Sequence, residues 1–243
     1  MPRPLAGQTV VVLGASSGMG RATALAAAAA GATVAVMARR RDALDALAAD
    51  IQAEGGARPL VLTVDATRTD AVERALAEVA GTTGRIDAVV NSVGTNIPRR
   101  SLGELTAESW SGMLADNLTA AFAITRAAVP VMRAAGGGLL VHISSVAARK
   151  ADKSGIAYQA TKAGVVALAH GTTEEERENG IRVTAIMPGM TDTPLLERRP
   201  TPPTPEMLRI ALKPEDVAAA CLYVLCQPAR VHIPEIILQP ART

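Results

Sequence analysis

Aromatic residues are scarce in this chain of 243 residues, at 2% of the total, and only two of them are tyrosines, Tyr158 and Tyr223. Because the hydrophobic fraction is still 49%, alanine and aliphatic side chains must build the core. The net charge is only +2, and stacking aromatics between basic residues are missing, which excludes a nucleic-acid groove and a nucleic-acid partner. With so few tyrosines, one at the head of a motif deserves a functional interpretation.

Cysteines, histidines and long apolar runs are also rare. Cys221 and Cys226 are five residues apart, on roughly opposite faces of a helix, so neither a disulfide nor a metal pair is expected. The three histidines show no ligand spacing, and we predict no metal site. The longest apolar stretch, 24–38, is broken by Gly31, so no membrane span is expected. No signal-peptide pattern is visible, which favours a cytoplasmic location.

Short β-branched runs alternate with alanine-rich segments along the chain. Strands are predicted at 9–13, 33–38, 60–65, 86–91, 139–144, 181–187 and 236–239. Helices are predicted at 18–30, 41–55, 69–81, 106–117, 118–135, 157–179 and 214–225. Strands joined by crossover helices indicate an α/β protein with a Rossmann-type, doubly wound parallel sheet and helices on both faces.

No change of composition marks a domain boundary, so residues 1–243 are predicted to form a single dinucleotide-binding and catalytic domain. The segment 190–213 is rich in proline and has little periodicity. We interpret it as a substrate loop or lid without regular structure, because long loops in compact domains are often functional. A plain surface excursion is the alternative.

A glycine-rich turn follows the first predicted strand and opens the first helix, with the residues Gly14, Ala15, Ser16, Ser17, Gly18, Met19 and Gly20. Such a turn lets backbone N–H groups approach a pyrophosphate at the positive end of a helix. The spacing differs from the commonest dinucleotide fingerprint, but the position between strand and helix supports the same function. A tight turn without a ligand is the alternative.

The end of the second strand should meet the adenosine ribose of a dinucleotide. An acid there would repel a 2′-phosphate, but this chain has Ala38 followed by Arg39 and Arg40. A guanidinium group binds phosphate well, so NADP(H) is predicted and NAD is less favoured. Asp65, at the end of the third strand, could accept a hydrogen bond from the adenine amino group. The alternatives are a solvated basic helix start and a simple capping role for Asp65.

Tyr158 and Lys162 are four residues apart in a predicted helix, and Ser145 lies thirteen residues before the tyrosine. This spacing places the phenol and the ammonium on one helix face. The lysine charge would favour the phenolate and lower the tyrosine pKa, which suits a general acid or base. The serine hydroxyl could hold a carbonyl or alcohol oxygen. An isolated pair of this kind also occurs by chance in many helices.

Together these features resemble the short-chain dehydrogenase/reductase family over nearly the whole chain. The matching residues occur in the family's order, and they are Gly14, Gly18, Gly20, Asp65, the run Asn91-Ser92-Val93-Gly94, Asn117, Ser145, Tyr158, Lys162 and Pro188-Gly189. The resemblance implies that Tyr158 is the general acid in carbonyl reduction and the base in alcohol oxidation. It implies that Lys162 lowers the tyrosine pKa and holds the nicotinamide ribose, and that Ser145 orients the substrate oxygen.

The resemblance also assigns the remaining site residues. Asn117 would hold a helix kink and a proton-relaying water, which completes a catalytic set with Ser145, Tyr158 and Lys162. The residues expected to contact the cofactor are Gly14, Ser16, Ser17, Gly18, Met19, Gly20, Arg39, Arg40, Asp65, Ala66, Asn91, Gly94, Tyr158, Lys162, Pro188, Gly189, Thr191 and Thr193. Thr193 would lie near the nicotinamide carboxamide.

The sequence therefore predicts an NADP(H)-dependent oxidoreductase that interconverts a ketone or aldehyde and an alcohol by hydride transfer. Two alternatives stay open: a non-catalytic dinucleotide-binding module, and an epimerase or dehydratase that uses the same site. The resemblance further implies a homo-oligomer, a tetramer or a dimer. Alanine-rich faces near 117–131 and 163–169 would permit close helix packing between subunits.

Overall fold

A computed structural model describes residues 3–242, and its centre is a sheet of seven parallel strands. The strands are β1 (Thr9–Leu13), β2 (Thr33–Ala38), β3 (Leu60–Thr63), β4 (Ala88–Asn91), β5 (Gly138–Ile143), β6 (Ile181–Pro188) and β7 (Glu235–Leu238). Their order is β3-β2-β1-β4-β5-β6-β7. The order reverses between β1 and β4, and such a reversal opens a crevice at the carboxyl ends of the strands.

Helices cover both faces of this sheet, which confirms the predicted Rossmann-type α/β fold. They are α1 (Gly18–Ala29), α2 (Arg41–Ala53), α3 (Thr69–Thr83), α4 (Ala107–Met113), α5 (Ala120–Ala134), α6 (Ile156–Glu176), α7 (Pro205–Ile210) and α8 (Pro214–Leu225). One apolar cluster joins α1, α2 and α8 to one face of the sheet. A second cluster joins α3, α5 and α6 to the other face.

Strand β1 shows why the sequences of the central strands are apolar without interruption. Val10 and Val12 belong to the first cluster, whereas Val11 and Leu13 belong to the second. All of these side chains are at most 1% exposed. Burying an aliphatic side chain of this kind contributes about 1.5–3 kcal/mol, so both faces of the strand stabilise the sheet. The carboxyl end of β1 is thereby held rigidly beside the crevice.

The two helices predicted at 106–117 and 118–135 form one continuous helical segment. Between α4 and α5 runs a π-helical turn, Leu114–Thr119, which contains Asn117. No glycine or proline occurs within 114–119 to end the helix, so the chain stays helical through this turn. The predicted boundary therefore marks an irregular turn within a helix, and such turns are often found at functional sites.

The segment 190–213 contains regular structure, so the prediction of a loop without it is wrong. A 3₁₀ helix spans Pro194–Arg198, and α7 begins at Pro205. Both start with proline, whose fixed φ suits the first helical position. The two ends of the segment meet where the Leu212 N–H donates to the Met190 carbonyl at 3.0 Å. The function of this segment as a lid stays a prediction.

Both cysteines have free thiols. Cys221 lies in the first apolar cluster, and its burial raises the pKa of its thiol to about 12. Across residues 3–242, no group of His, Cys, Asp and Glu side chains is arranged to hold a metal ion. Within the same range, every helix is too short or too polar to cross a membrane.

Candidate active site

A cleft of about 480 Å³ opens at the carboxyl ends of the strands, beside the β1–β4 reversal. The predicted cofactor residues in its wall are Gly14, Ser16, Ser17, Gly18, Met19, Arg39, Arg40, Asp65, Ala66, Gly94 and Thr193. Wall residues that sequence reasoning did not assign include Met37, Val64, Thr67, Val93, Thr95, Asp116, Leu195, Glu197 and Arg198. The cleft therefore collects side chains from five loops that lie far apart in the sequence.

The glycine turn fits a dinucleotide because it leaves no room for side chains. A Cβ at Gly14 would lie 2.7 Å from the backbone of Ser92, and one at Gly20 would lie 2.3 Å from the Gly14 carbonyl oxygen. Ser17 is the N-cap of α1, but its side chain makes no capping hydrogen bond. The first-turn N–H groups therefore remain for an anion such as a pyrophosphate.

Two arginines border the end of the cleft that is formed by β2 and β3. The Arg40 Nη2 atom lies 3.1 Å from the Ser16 Oγ atom, and Arg39 lies close enough to Asp65 to lower its pKa. The larger causes of that lowered pKa are hydrogen bonds from the Thr67 N–H and hydroxyl groups, at 3.0 and 2.8 Å. Asp65 therefore braces its own loop, and its contact with adenine stays a prediction.

Two adjacent serines follow β5, and the structure separates their roles. The Ser144 hydroxyl is 2% exposed and donates to the Lys162 carbonyl at 2.8 Å, which ties α6 to the strand end. The Ser145 Oγ atom accepts from the Ala147 N–H at 3.1 Å, and its hydroxyl is directed to the Tyr158 phenol oxygen. Only Ser145 is thus placed to hold a substrate oxygen near Tyr158.

Lys162 is 5% exposed, and its ammonium group donates to the Ile143 carbonyl at 3.0 Å. Burial lowers the pKa of Lys162 to about 8. A Cβ at Gly94 would lie 3.0 Å from the Lys162 Nζ atom and 3.3 Å from the Asn117 Oδ1 atom. Gly94 also lines the cleft, so it forms the junction between the cleft and the buried lysine.

The predicted lowering of the Tyr158 pKa is wrong. Burial raises the pKa of Tyr158 to about 12, and a hydrogen bond with the Ser145 side chain only partly opposes this rise. The phenolate form loses its hydration in the protein, whereas the ammonium of Lys162 donates to the Ile143 carbonyl and lies 5.8 Å from the centre of the tyrosine ring. The phenol is therefore held in its protonated form.

Asn117 connects the π-helical turn to the β4–α4 loop and to α6. Its Oδ1 atom accepts from the Thr95 N–H at 2.7 Å, and its Nδ2 atom donates to the Thr95 carbonyl at 3.1 Å. The same Nδ2 atom lies 3.3 Å from the Thr161 hydroxyl, which donates to the Tyr158 carbonyl at 2.8 Å. Asn117 thereby couples the helix kink to the turn of α6 that carries the tyrosine.

Some predicted cofactor residues lie outside the wall of the cleft, and these are Gly20, Asn91, Tyr158, Lys162, Pro188, Gly189 and Thr191. The Gly189 N–H donates to the Leu238 carbonyl at 2.7 Å, so this part of the chain is hydrogen-bonded to the end of β7. Thr191 is 6% exposed, and its hydroxyl donates to the Gly189 carbonyl at 3.1 Å. Their contacts with the cofactor stay predictions.

His142 is a buried support that sequence reasoning assigned no role. The ring is fully buried in β5, between the Asn91 Nδ2 atom at 3.0 Å and the Thr125 Oγ1 atom at 3.1 Å. Because Thr125 donates to the Ala121 carbonyl, it accepts from His142, which places the histidine proton on Nε2. The sequence signal for this role was the histidine itself, the one polar side chain in an otherwise apolar strand.

The histidine holds Asn91 in one orientation. Asn91 donates to the His142 Nδ1 atom through Nδ2 and accepts from the Val93 N–H at 2.9 Å through Oδ1. Val93 is part of the cleft wall, so the buried ring supports the cleft through Asn91. Burial, together with the charge of Lys162, lowers the pKa of His142 to about 3 and keeps the ring neutral.

A glycine turn beside the partly buried Ser145 and Tyr158 and the buried Lys162, at the end of this sheet, is an architecture typical of a nucleotide-dependent oxidoreductase. The family model for short chain dehydrogenases matches residues 8–203. This chain therefore belongs to the short-chain dehydrogenase/reductase family and is an oxidoreductase, which confirms the predicted family. The roles of its individual site residues remain predictions.

Relatives of similar length support this assignment. An uncharacterised oxidoreductase of Staphylococcus haemolyticus is 33% identical over 236 residues, with 97% of this chain and 98% of the relative covered. An uncharacterised oxidoreductase of Staphylococcus aureus is 32% identical over 237 residues, with the same coverage of 97% and 98%. These matches extend over nearly the whole chain.

Solved structures show the same fold. A metagenomic short-chain oxidoreductase in complex with NADP is 30% identical, with a TM-score of 0.84, and the match covers 99% of this chain and 100% of that one. An alcohol dehydrogenase of Thermococcus sibiricus complexed with 5-hydroxy-NADP is 28% identical, with a TM-score of 0.86 and a coverage of 97% of each chain. Both of these structures contain a form of NADP.

The buried histidine leads to a prediction about acid stability. The folded-state pKa of His142, about 3, lies below its unfolded value, so the unfolded chain takes up a proton first as the pH falls below about 6.5. His142 therefore contributes to a loss of stability in acid. Between pH 6.5 and 4.5, the wild type should lose about 2 kcal/mol more unfolding free energy than His142→Asn. Urea unfolding at both pH values measures this difference, and equal losses in the two proteins would contradict the prediction.

Proposed function

We propose that this protein is an NADP(H)-dependent oxidoreductase that interconverts a ketone or aldehyde and the corresponding alcohol. The proposal depends chiefly on one observation: Ser145, Tyr158 and Lys162 converge at the carboxyl end of β5, next to the cleft that holds the glycine turn. NADP(H), when bound, supplies or accepts the hydride. The residues of the chain supply position and the proton.

In the reductive direction, Tyr158 is the general acid. Its raised pKa keeps the phenol protonated at neutral pH, so a proton is available as negative charge develops on the carbonyl oxygen. The Ser145 hydroxyl donates a second hydrogen bond to the same oxygen and fixes the distance to Tyr158. In the oxidative direction, the phenolate of Tyr158 removes the hydroxyl proton of the alcohol.

Lys162 and Asn117 restore the proton that Tyr158 gives up. With a pKa of about 8, the lysine remains largely protonated at pH 7. It therefore holds a proton that can return to Tyr158 after the phenol has donated its own. Asn117 lies against both Gly94 and Thr161, and this position supports its proposed role of holding a water on the path from Lys162 to solvent.

The preference for NADP(H) is supported by the charge at the β2 end of the cleft. Arg39 and Arg40 both line the wall, next to Asp65. A guanidinium group can donate two parallel hydrogen bonds to a phosphate. The adenosine ribose of NAD carries no 2′-phosphate to accept them. The NADP-containing relatives are consistent with this preference.

Replacement of the proposed acid tests the reaction. We expect Tyr158→Phe to lower the kcat/KM for carbonyl reduction by about 10²–10⁴, since the proton donor is lost and the ring remains. NADPH oxidation followed at 340 nm with a panel of aldehydes and ketones measures this effect. NADPH should still bind to the variant, as followed by its fluorescence.

The second tyrosine provides the matched control. Tyr223 lies in α8 and is 57% exposed, so Tyr223→Phe should retain wild-type activity. Full activity of Tyr158→Phe would refute the mechanism. NADPH binding without turnover by the wild type would favour the non-catalytic module, and product formation without net oxidation of the cofactor would favour an epimerase or dehydratase.

A second prediction concerns the cofactor. The double substitution Arg39→Ala and Arg40→Ala should raise the KM for NADPH about 10- to 100-fold, because hydrogen bonds to a charged phosphate are lost. The KM for NADH should change little. Arg41 belongs to the same basic run but is paired with Asp45, so Arg41→Ala serves as the control. An equal effect on NADH and NADPH would indicate that the two arginines do not bind a 2′-phosphate.

We also propose that the protein is a homo-oligomer, a dimer or a tetramer. Phe122 on α5 is 47% exposed, and Ala160, Ala163 and Ala167 form an exposed small-residue face on α6. These two surfaces allow helices of two subunits to pack closely around apolar side chains. Strand β7 is the edge strand of the sheet within residues 3–242, and Ile237 on this strand is 53% exposed, which offers a second contact surface.

Light scattering tests this assembly. The wild type should have a mass that is a multiple of the chain mass, and Phe122→Glu should lower it, because a charge would enter the α5 interface. Leu102 is 74% exposed and lies outside α5 and α6, so Leu102→Glu should leave the mass unchanged. A monomeric wild type at micromolar concentration would refute the proposal.

A further inference from the structure

Arg100 is a buried cation that the proposed chemistry does not use. It lies in the loop between β4 and α4 and is only 8% exposed. Its backbone packs against Gly155, where an added Cβ would lie 2.8 Å from the Cβ atom of Arg100. Gly155 immediately precedes α6, the helix that carries Tyr158 in its first turn. Arg100 is thereby fixed beside the catalytic end of this helix.

Two buried polar atoms in this neighbourhood have no hydrogen-bond partner. They are the Nε atom of Arg100 and the Oγ atom of Ser154, the residue next to Gly155. Buried donors without partners are rare in proteins and cost free energy. Within the part of the chain that the structure describes, the one other such side-chain atom is the Nε atom of Arg182. Both atoms belong to segments that meet where Arg100 packs against Gly155.

The guanidinium group of Arg100 is held in place without being neutralised. Its Nη2 atom donates to the Arg198 carbonyl, which leaves the Nε side free. Among residues 3–242, no ion pair joins Arg100, Arg198 or Arg199 to a carboxylate. A buried, unpaired cation is costly, so a mobile anion would be bound here favourably.

The charges around Arg100 are of both signs. Burial and the positive charge of Arg199 lower the pKa of Arg100, whereas Tyr158 and Asp152 act in the opposite direction. Asp152 accepts from the Ser154 N–H at 2.8 Å, and Glu197 and Arg198 both line the adjoining cleft. The two carboxylates, Asp152 and Glu197, are exposed, so Arg100 is the buried charge of this group.

We propose that Arg100, together with Ser154, binds a carboxylate of the substrate, so that the compound reduced at Tyr158 is an oxo acid. This inference rests on the carbonyl chemistry proposed above. A carboxylate would accept hydrogen bonds from both unsatisfied donors and would neutralise the buried guanidinium. The substrate would then be held at two points, its carboxylate at Arg100 and its carbonyl oxygen between Ser145 and Tyr158.

The first experiment compares acids with their methyl esters. We expect the wild type to reduce short-chain 2-oxo or 3-oxo acids with a higher kcat/KM than the corresponding esters. In Arg100→Gln, the ratio of the two kcat/KM values should fall by at least about 30-fold, as expected when one partner of a buried charge pair is removed. If Arg100 only anchors the Arg198 carbonyl, acids and esters will lose activity equally, and the inference is overturned.

Arg182 offers a matched control. It too is a partly buried arginine with an unpartnered Nε atom, and it bonds to the Pro228 and Val231 carbonyls at the opposite end of β6. Arg182→Gln removes the same charge far from Tyr158 and should keep the wild-type preference for acids. Ser154→Ala provides a second variant, and its ratio should fall about 2- to 10-fold, the effect of one lost hydrogen bond.

A binding measurement separates this inference from the proposed reaction. Butyrate and butyramide differ in charge and not in size, and their binding is measured by calorimetry at constant ionic strength. Butyrate should bind to the wild type and to Tyr158→Phe, and more weakly to Arg100→Gln, whereas butyramide should not bind. Arg100-dependent butyrate binding without any turnover would refute the carbonyl chemistry alone. Ester turnover without butyrate binding would refute the carboxylate site alone.

Discussion

The buried ammonium of Lys162 is the constraint on which the catalytic end of the molecule depends. Its charge is removed from water, and the Ile143 carbonyl is the acceptor that compensates it. In return, the Ser144 hydroxyl bonds to the Lys162 carbonyl, so strand β5 and helix α6 fix each other through reciprocal contacts. A side chain at Gly94 would crowd the ammonium, because its Cβ atom would lie 3.0 Å from the Lys162 Nζ atom. The position of Tyr158 follows, since it lies one helical turn before the lysine.

A second layer of polar contacts lies beneath this end. Asn91, His142 and Thr125 form a buried chain of hydrogen bonds from the cleft wall to α5. Each member has its partners, so the chain specifies one arrangement of the β4 end without leaving an unsatisfied group. The ring stays neutral close to Lys162, so no second positive charge is buried beside the lysine. The hydrogen bonds of Asn91, His142 and Thr125 therefore support the cleft wall without adding a charge.

The outer rim of the cleft carries charges of both signs. Arg39 and Arg40 lie at the β2 end with Asp65, and Arg198 lies at the other end with Glu197. These residues come from segments far apart in the sequence, so the fold brings them to one cleft. The segment 190–213 contributes to this rim through Arg198, whose carbonyl oxygen accepts a hydrogen bond from Arg100.

The sequence by itself determined the order of strands and helices, the glycine turn and the spacing of Ser145, Tyr158 and Lys162, because strand and helix periodicity and turn chemistry are local properties. Strands 9–13 and 33–38 agree with the structure to the residue. Only the tertiary structure decided the π-helical turn, the support by His142, the protonated state of Tyr158 and the buried cation Arg100. Each of these depends on contacts between segments distant in sequence, and the protonated state of Tyr158 depends also on desolvation, so local sequence patterns do not predict them.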